Sequence, residues 1–541
     1  MADLTKAQFT RRSLLRSIAA AGGLATVPGL LAACTGTDSS SKTAQSLDTL
    51  TVALPSSISS VDASKEAGIM NYVVALLCQE ALVGVGAVGN LVPALATSWS
   101  RPDATTYVYK LRQGVTFTDG SAMTVDDVVA SLQHHAKPGS TSAFAYAYAD
   151  VASITATAAD EITIKLTKPS SSFSWTPSPG TLLITSKAFL EKNGAQIGTP
   201  EVKILGTGPY RVTEFVADSH VTLTRNEKWW GGQVPIREVR LNFITDESTR
   251  LLAMRQNSID MALNVPLDQL DQWRTLSGVQ VEVATDRSLV TLAFNIAKKP
   301  WDDIHVRKAV AHAIDRAGIV KSILRGHGTV AKTLPSDAQW GGLLSSDEVA
   351  ALYAAIPQYE FDLDQARAEL AQSSVPQGFT DELHFPNSGP QLGKAALTLA
   401  ENLKPLGINL TVKEITLEAW IAELGRHASG IYLGWYFATT GDPSEYTQLL
   451  LNSAYAGENG TNIAQYRNAE VTALLDQEQT STDNAVRGKL LGQALTMAAS
   501  DVAYQPLWWG EAATAFGAKA GARDYGPYFF VGPWATQVSA R

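Results

Sequence analysis

Apolar and polar positions alternate most regularly between Leu91 and Leu132. Tyr107, Tyr109 and Leu111 alternate with Val108 and Lys110, the period of a half-buried strand. Gly114 interrupts the run, Val115 and Phe117 resume it, and Asp119-Gly120 signals a turn. Thr124 followed by Asp127 predicts an N-cap with an acidic residue at its third helical position. The helix it opens carries Val125, Val128, Val129 and Leu132 on its apolar side. Upstream, Leu50 to Leu54 is β-rich, Pro55 to Ser60 is a loop, and Ala67 to Leu82 is helix-like up to Gly84. Downstream, Ile154 to Leu166 predicts a strand pair, and Pro169 to Ser178 is an irregular loop containing Trp175.

The same mixture continues to the C-terminus. Gly206 to Val212 is a turn entering a strand, Val221 to Asn226 is its partner, and Ile236 to Phe243 is another strand. Thr249 to Asn257 reads as a helix. After Leu292 to Asn295, a helix places Val306, Ala309, Val310, Ala313 and Ile314 on one face. Asp315 predicts the cap of the next helix, with Ile319, Val320, Ile323 and Leu324 inward and Gly326 as its stop. Phe361 to Leu370 is an acidic-capped helix. Leu392 begins a helix that passes through Leu406-Gly407-Ile408 into the strand Asn409 to Ile415, a passage of α/β type. Trp420 opens a helical stretch. Ile431 to Trp435 is a strand ending in the loop Tyr436 to Pro443, and Val502 to Trp509 is a short aromatic strand.

At 541 residues the chain calls for two or more lobes. A net charge of -9 offers no basic stripe for phosphates, so nucleic acid is not an expected partner. The two cysteines, Cys34 and Cys78, give neither a disulfide framework nor a thiolate metal cage. Cys78 follows an apolar run and is expected to be a buried, inert thiol. The eight histidines are scattered, and adjacent His134 and His135 diverge by about 100° on a helix, so a solvated helix end is expected there rather than a metal site. No cofactor is expected.

The N-terminus reads as an address. Arg11-Arg12 with Leu14-Leu15 precedes an Ala/Gly-rich apolar stretch, the form of a signal peptide, and resembles a twin-arginine export signal. Leu31-Ala32-Ala33-Cys34 resembles a lipobox. Residues 1–33 are therefore expected to be removed, leaving a lipid on Cys34 and a Ser/Thr-rich tether over residues 34–47.

Gly84-Val85-Gly86-Ala87-Val88-Gly89 satisfies a dinucleotide-binding pattern. It follows a helical pattern and is followed by Pro93, so it reads as a turn between a helix and an extended segment. There is no G-x-S-x-G elbow or H-E-x-x-H helix, and Asp126-Asp127 and Asp302-Asp303 are explained as helix starts. An enzyme is not expected.

Three blocks carry a family resemblance. The first is Pro93-Ala94-Leu95-Ala96 through Tyr107 to Arg112, Gly114 to Phe117, Asp119-Gly120 and Asp126 to Val129. The second is Gly206-Thr207-Gly208-Pro209-Tyr210 with Trp229-Trp230-Gly231-Gly232. The third is Phe294-Asn295, Asp302-Asp303 and Val306 to Ala309. Together with a fourth signature, the acidic-capped helix Phe361 to Leu370, they resemble the large extracytoplasmic solute-binding proteins of peptide/nickel-type ABC transporters. The resemblance implies an α/β, two-lobed periplasmic-binding-protein-like fold of the class II (cluster C) type. On that basis residues 48–85, 205–290 and 500–541 form a first lobe, 86–204 an inserted subdomain and 291–499 a second lobe. Hinge closure is expected about the crossings near Ala284 to Leu292 and Met497 to Gln505. The expected partners are a peptide or other medium-sized solute and the permease subunits of an ABC importer, for a monomer held at the outer face of the cell membrane.

Ligands of α/β lobes bind where loops converge beyond the strand ends. The loop after Ile431 to Trp435 is the leading candidate, offering Trp435, Tyr436, Phe437, Thr439, Thr440 and Asp442. Trp420 and Trp508 are further candidates. Asp442-Pro443 also reads as a turn starter, and Trp229 and Trp230 as core. Dipeptide binders of this family carry an acidic residue where Thr439 stands and an arginine upstream of the Leu-Gly-Ile passage, yet no arginine lies near Pro386-Asn387-Ser388. A zwitterionic dipeptide would lose both charge-assisted contacts. A neutral or larger peptide is expected, with an oligosaccharide ligand or a regulatory envelope lipoprotein as alternatives. No histidine pair supports nickel.

Overall fold

The computed structural model describes residues 47–541 except Ala67, Ser388 and Thr439. The signal segment, Cys34 and nearly all of the tether lie outside the described residues, as does Thr439.

The central sheet has nine strands. Eight lie in the order Ile431–Phe437, Gln280–Phe294, Tyr504–Phe516, Met261–Ala262, Thr49–Leu54, Glu238–Phe243, His220–Arg225 and Tyr210–Val216, with Thr329–Val330 also paired to Tyr504–Phe516. Thr49–Leu54 runs parallel to both neighbours, and the remaining pairs are antiparallel. Its alternate residues serve two cores. Leu50, Val52 and Leu54 pack with Val239 and Leu241, while Ala53 faces Leu251, Met254 and Trp273 on the other side. A strand buried on both faces needs no polar alternation, which is why Leu50 to Leu54 reads as a continuous run.

A second sheet joins the same first core. Ala96–Asp103, Thr106–Leu111, Glu161–Leu166 and Val151–Ala158 lie in that order. Tyr107, Tyr109, Ile162 and Ile164 point into the core shared with Leu50 and Val239. Helix Val125–Ala136 covers this region, and its capping box forms as the sequence predicts. Thr124 accepts the Asp127 N–H while the Asp127 carboxylate accepts the Thr124 N–H.

The second lobe is built around the far ends of Gln280–Phe294 and Tyr504–Phe516. Val290, Leu292, Phe294, Leu433 and Trp508 face one core, and Leu289, Ala293, Tyr432, Tyr436 and Trp509 face the other. Both long strands thus begin in one lobe's core and end in the other's, since Ala513 and Ala515 pack with Trp273. The ladder between them shifts register between Thr285 and Leu289, where the chain passes from lobe to lobe.

Several expectations change. The predicted helix Ala67 to Leu82 is only Ile69–Ala75. It stops early because the Leu77 and Cys78 carbonyls accept the Tyr210 and Gly208 N–H groups instead of closing further turns. The glycine-rich run is the turn of a hairpin between Val83–Val85 and Leu91–Pro93, not a helix-to-strand turn. The aromatic strand Val502 to Trp509 is Tyr504–Phe516, and Ile431–Phe437 runs two residues past the predicted end. His135 is not solvated: it is buried against Phe144 and Tyr148 with its Nδ1 2.8 Å from Ser142 Oγ. Burial, with the neighbouring His134 charge, pushes its pKa down to about 3. Cys78 is a buried free thiol, and burial pushes its pKa upward. Asp315 and Asp362 cap their helices by accepting the Gly318 and Gln365 N–H groups.

Candidate ligand-binding site

Strand Ile431–Phe437 pairs antiparallel to the crossing strand, with Trp435 opposite Val290, Tyr436 opposite Leu289 and Phe437 opposite Ser288. Because side chains alternate, Trp435 and Phe437 share one face with ring centroids 5.1 Å apart. Phe437 is 39% exposed, so this aromatic pair presents an open surface at the strand's carboxyl end. Tyr436 points the opposite way, buried toward Tyr446, and burial raises its hydroxyl pKa well above the ordinary value. Its hydroxyl has no hydrogen-bond partner among the described residues.

The loop beyond Phe437 is tied from below. Thr440 donates its N–H and hydroxyl to Glu445 at 2.8 and 2.7 Å. Asp442 is 2% exposed and accepts the Ser444 N–H at 2.9 Å. Both its oxygens receive Arg487 Nη2, at 2.8 and 3.0 Å, and Arg487 Nε donates to Glu478 Oε1 at 2.7 Å. Burial alone would lower the guanidinium pKa, but Asp442 and Glu478 raise it. Glu478 also accepts Ser444 Oγ at 2.8 Å and Ser171 Oγ at 2.6 Å. The Asp442 carboxylate is therefore occupied on the inner side of the loop.

Ser171 belongs to the loop around Trp175, so this network joins the two lobes. Arg101 adds bonds to the carbonyls of Ser481 and Gln479 at 3.2 and 3.4 Å. At the loop tip a Cβ on Gly441 would lie 2.6 Å from the Gly89 carbonyl and 2.9 Å from both Trp175 and the Tyr528 hydroxyl. Only glycine allows this approach. Tyr528 precedes Phe529 and Trp534 of the first core, and its hydroxyl donates to the Ala338 carbonyl at 3.0 Å. Arg287 lies in the register shift of the crossing strand with φ +61°, and its guanidinium stands 4.8 Å from the Tyr528 ring centroid. Its carbonyl accepts the Tyr446 hydroxyl at 2.8 Å and the Ala438 N–H at 3.4 Å.

Of the sequence-predicted residues, Trp435, Tyr436, Phe437, Thr440 and Asp442 thus lie at one strand end, and Thr439 lies outside the described residues. Trp508 is 3% exposed in a second-lobe core, and Trp420 is 6% exposed on helix Leu417–Arg426. Sequence reasoning missed Arg287, Tyr528, Gly89 and Arg487, which reach the seam from four distant stretches. Elsewhere, Trp229 and Trp230 donate their indole N–H groups to buried Glu80 at 3.2 and 2.9 Å, and Thr207 adds a third bond at 2.7 Å. Both tryptophans of the Trp229 to Gly232 motif and the Gly206 block thereby meet on one carboxyl group within the first lobe. Among the described residues no group of three or more His, Cys, Asp or Glu side chains is placed to hold a metal ion, and no helix is long and apolar enough to cross a membrane.

Residues 90–458 match the family model of bacterial extracellular solute-binding proteins, family 5 Middle. The chain is 26% identical to the glutathione-binding protein GsiB of Escherichia coli over 511 residues, covering 92% of this chain and 93% of that protein. It is 26% identical over 449 residues to heme-binding protein A of Haemophilus influenzae, covering 77% of this chain and 79% of that one. The structure of the ABC transporter-associated periplasmic binding protein DppA from Helicobacter pylori, in complex with the peptide STSA, superposes with a TM-score of 0.76 at 22% identity. It covers 91% of this chain and 98% of that chain. This likeness establishes a two-lobed periplasmic-binding-protein-like fold with a subdomain inserted in the first lobe.

Proposed function

The chain belongs to the family 5 bacterial extracellular solute-binding proteins, and from that membership we propose a lipid-anchored receptor that closes two lobes over its solute and hands it to an ABC permease. It is an extracytoplasmic, periplasmic solute-binding component of an ABC importer for peptides or similar solutes, a binding protein rather than an enzyme. The observation carrying the closure reading is the seam at Gly441, where a second-lobe loop meets Gly89, Trp175 and Tyr528 of the first lobe. Two strands cross between the lobes beside this seam, so a hinge there moves its two sides apart.

In this reading the solute lies along the Trp435–Phe437 face and is bordered by Thr440. Tyr436 packs on the opposite face of the strand toward Tyr446, Asp442 anchors the loop from its inner side, Trp508 continues the Trp435 face into the second-lobe core, and Trp420 is buried on helix Leu417–Arg426. The relatives named for glutathione, heme and a peptide support a medium-sized solute over a free amino acid. The exposed aromatic pair also suits a sugar face, which keeps an oligosaccharide as the second reading.

Two measurements test this. Mass spectrometry of solute released from protein purified out of export-competent cells should yield a peptide-like molecule at one per chain. A sugar would move the assignment to the second reading, and no solute, together with no thermal shift across peptide and oligosaccharide panels, would refute the receptor. For anchoring, Cys34→Ser should move the protein from the membrane to the soluble fraction. An unchanged membrane fraction refutes lipid attachment at Cys34.

A further inference from the structure

Every buried or half-buried arginine among the described residues has an oxygen acceptor for its side chain, except Arg287. Those from Arg101 to Arg487 each donate to a carbonyl, amide or carboxylate oxygen. Arg287 has no ion pair and no side-chain hydrogen bond among the described residues, and its Nε is buried without a partner. Taking guanidinium N–H groups out of water without an acceptor is costly, and native structures avoid it unless something else uses the group.

The position is also held against a backbone preference. Arg287 has φ +61°, a left-handed conformation that a non-glycine residue adopts only at an energetic cost. Two bonds to its carbonyl, from Tyr446 and Ala438, keep it there. Both donors belong to the second-lobe segment that carries the Trp435–Phe437 face, while the guanidinium lies over Tyr528 of the first lobe. Asp286, whose carboxyl feels the Arg287 charge without pairing with it, accepts the Ser288 N–H at 2.8 Å, and Glu445 accepts both donors of Thr440.

We propose that Arg287 is the anion-binding group of the cleft, so that the transported solute carries a carboxylate, which Arg287 takes side-on through its Nε–H and an Nη–H. The inference rests on the receptor reading above and adds the solute's chemical class. The paired N–H groups match the two oxygens of a carboxylate, and the Tyr528 ring gives the guanidinium a cation–π contact at 4.8 Å. Arg287 lies far before Pro386 to Ser388 in the chain, the stretch where the resemblance expects the arginine of dipeptide binders and where this sequence has none, and it supplies a charge contact from another element. A purely neutral solute would leave the cation unpartnered in the closed state.

The test uses the full exported protein and isothermal titration with Met-Leu, Ser-Thr-Ser-Ala and glutathione, each as free acid and as carboxamide. Wild type should bind the acids about 10- to 100-fold more tightly than the amides, the range of one charge-assisted contact. Arg287→Met should abolish that preference while amide affinity stays within about threefold. Arg287→Lys, which keeps the charge but not the paired geometry, should lose about tenfold for acids only, and it decides the matter if the Met variant does not fold. Equal binding of acid and amide by wild type, or an acid preference that survives both substitutions, overturns the proposal and leaves the receptor reading standing. Failure of every probe in both forms removes the peptide receptor reading and this inference together.

Discussion

Removing Arg487 isolates the energetics that fix the candidate loop. Arg487→Met deletes the one cation that forms ion pairs with Asp442 and Glu478 among the described residues; their side chains are 2% and 0% exposed. Glu478 keeps donors from Ser171, Ser444 and Gln479, but among the described residues Asp442 keeps only the Ser444 N–H as a bond to its carboxylate. Breaking a buried pair by deleting one partner costs about 3–5 kcal/mol, because the other charge stays desolvated. Asp442→Asn is a milder change. It leaves Arg487 paired one-to-one with Glu478, so the loss is about 1–2 kcal/mol from weaker hydrogen bonds. The order of costs is therefore Arg487→Met above Asp442→Asn. The double variant should be more stable than Arg487→Met alone, because it removes the carboxylate that the first change stranded. Urea unfolding followed by circular dichroism and tryptophan fluorescence reads all three. A double variant no more stable than Arg487→Met, or an Arg487→Met cost below about 1 kcal/mol, would refute the reasoning.

Burial pushes Glu80 up to about 7 despite donors from Trp230, Thr207 and Trp229. The folded state then holds a proton that the unfolded chain releases near 4.5, so this group's stabilisation is complete below pH 4.5. It is lost as pH rises to 7, a fall of about 3 kcal/mol. Urea midpoints from pH 4.5 to 8 should show the fall in wild type, with Glu80→Gln flattening it; equal slopes in the two proteins would contradict the assignment. Cys78 should resist a thiol reagent in the native protein and react fully in urea, and native labelling at the unfolded rate would show the thiol is not buried. Gly120 has φ +93° with open space around its Cβ position, so Gly120→Ala should cost about 1 kcal/mol through backbone strain alone. Its ligand preference, read by titration with the same peptides, should match wild type.

Local signals were the legible part. The Thr124–Asp127 box, the Asp315 and Asp362 caps and the Asn409–Ile415 strand depend on residues within a few positions of one another, and each forms where the pattern places it. The alternation at Tyr107 to Leu111 likewise reports a sheet with one face in the core. The helix Ile69–Ala75 is shorter than its pattern predicts because apolar Leu77 and Cys78 fit a helix as well as the bend that bonds their carbonyls to the Gly206 block. Strand Ile431–Phe437 was cut short because Tyr436 and Phe437 resemble loop aromatics until the crossing strand is there to pair with them. The site was legible only on one side. The Asp442-Pro443 turn is local, but its counter-ion stands 45 residues away on a helix with no charge pattern to mark it. Arg287 has no local signal either: its meaning comes from Tyr528, Tyr446 and Ala438, which meet it only in the fold.

Hydrogen–deuterium exchange with and without the panel peptide giving the largest thermal shift tests the central claim most directly. Closure over a solute at this seam predicts slowed exchange in both lobes at once, around Gly89, Trp175, Arg287, Phe437 to Asp442 and Tyr528. Protection confined to one lobe, or centred away from these segments, would contradict it.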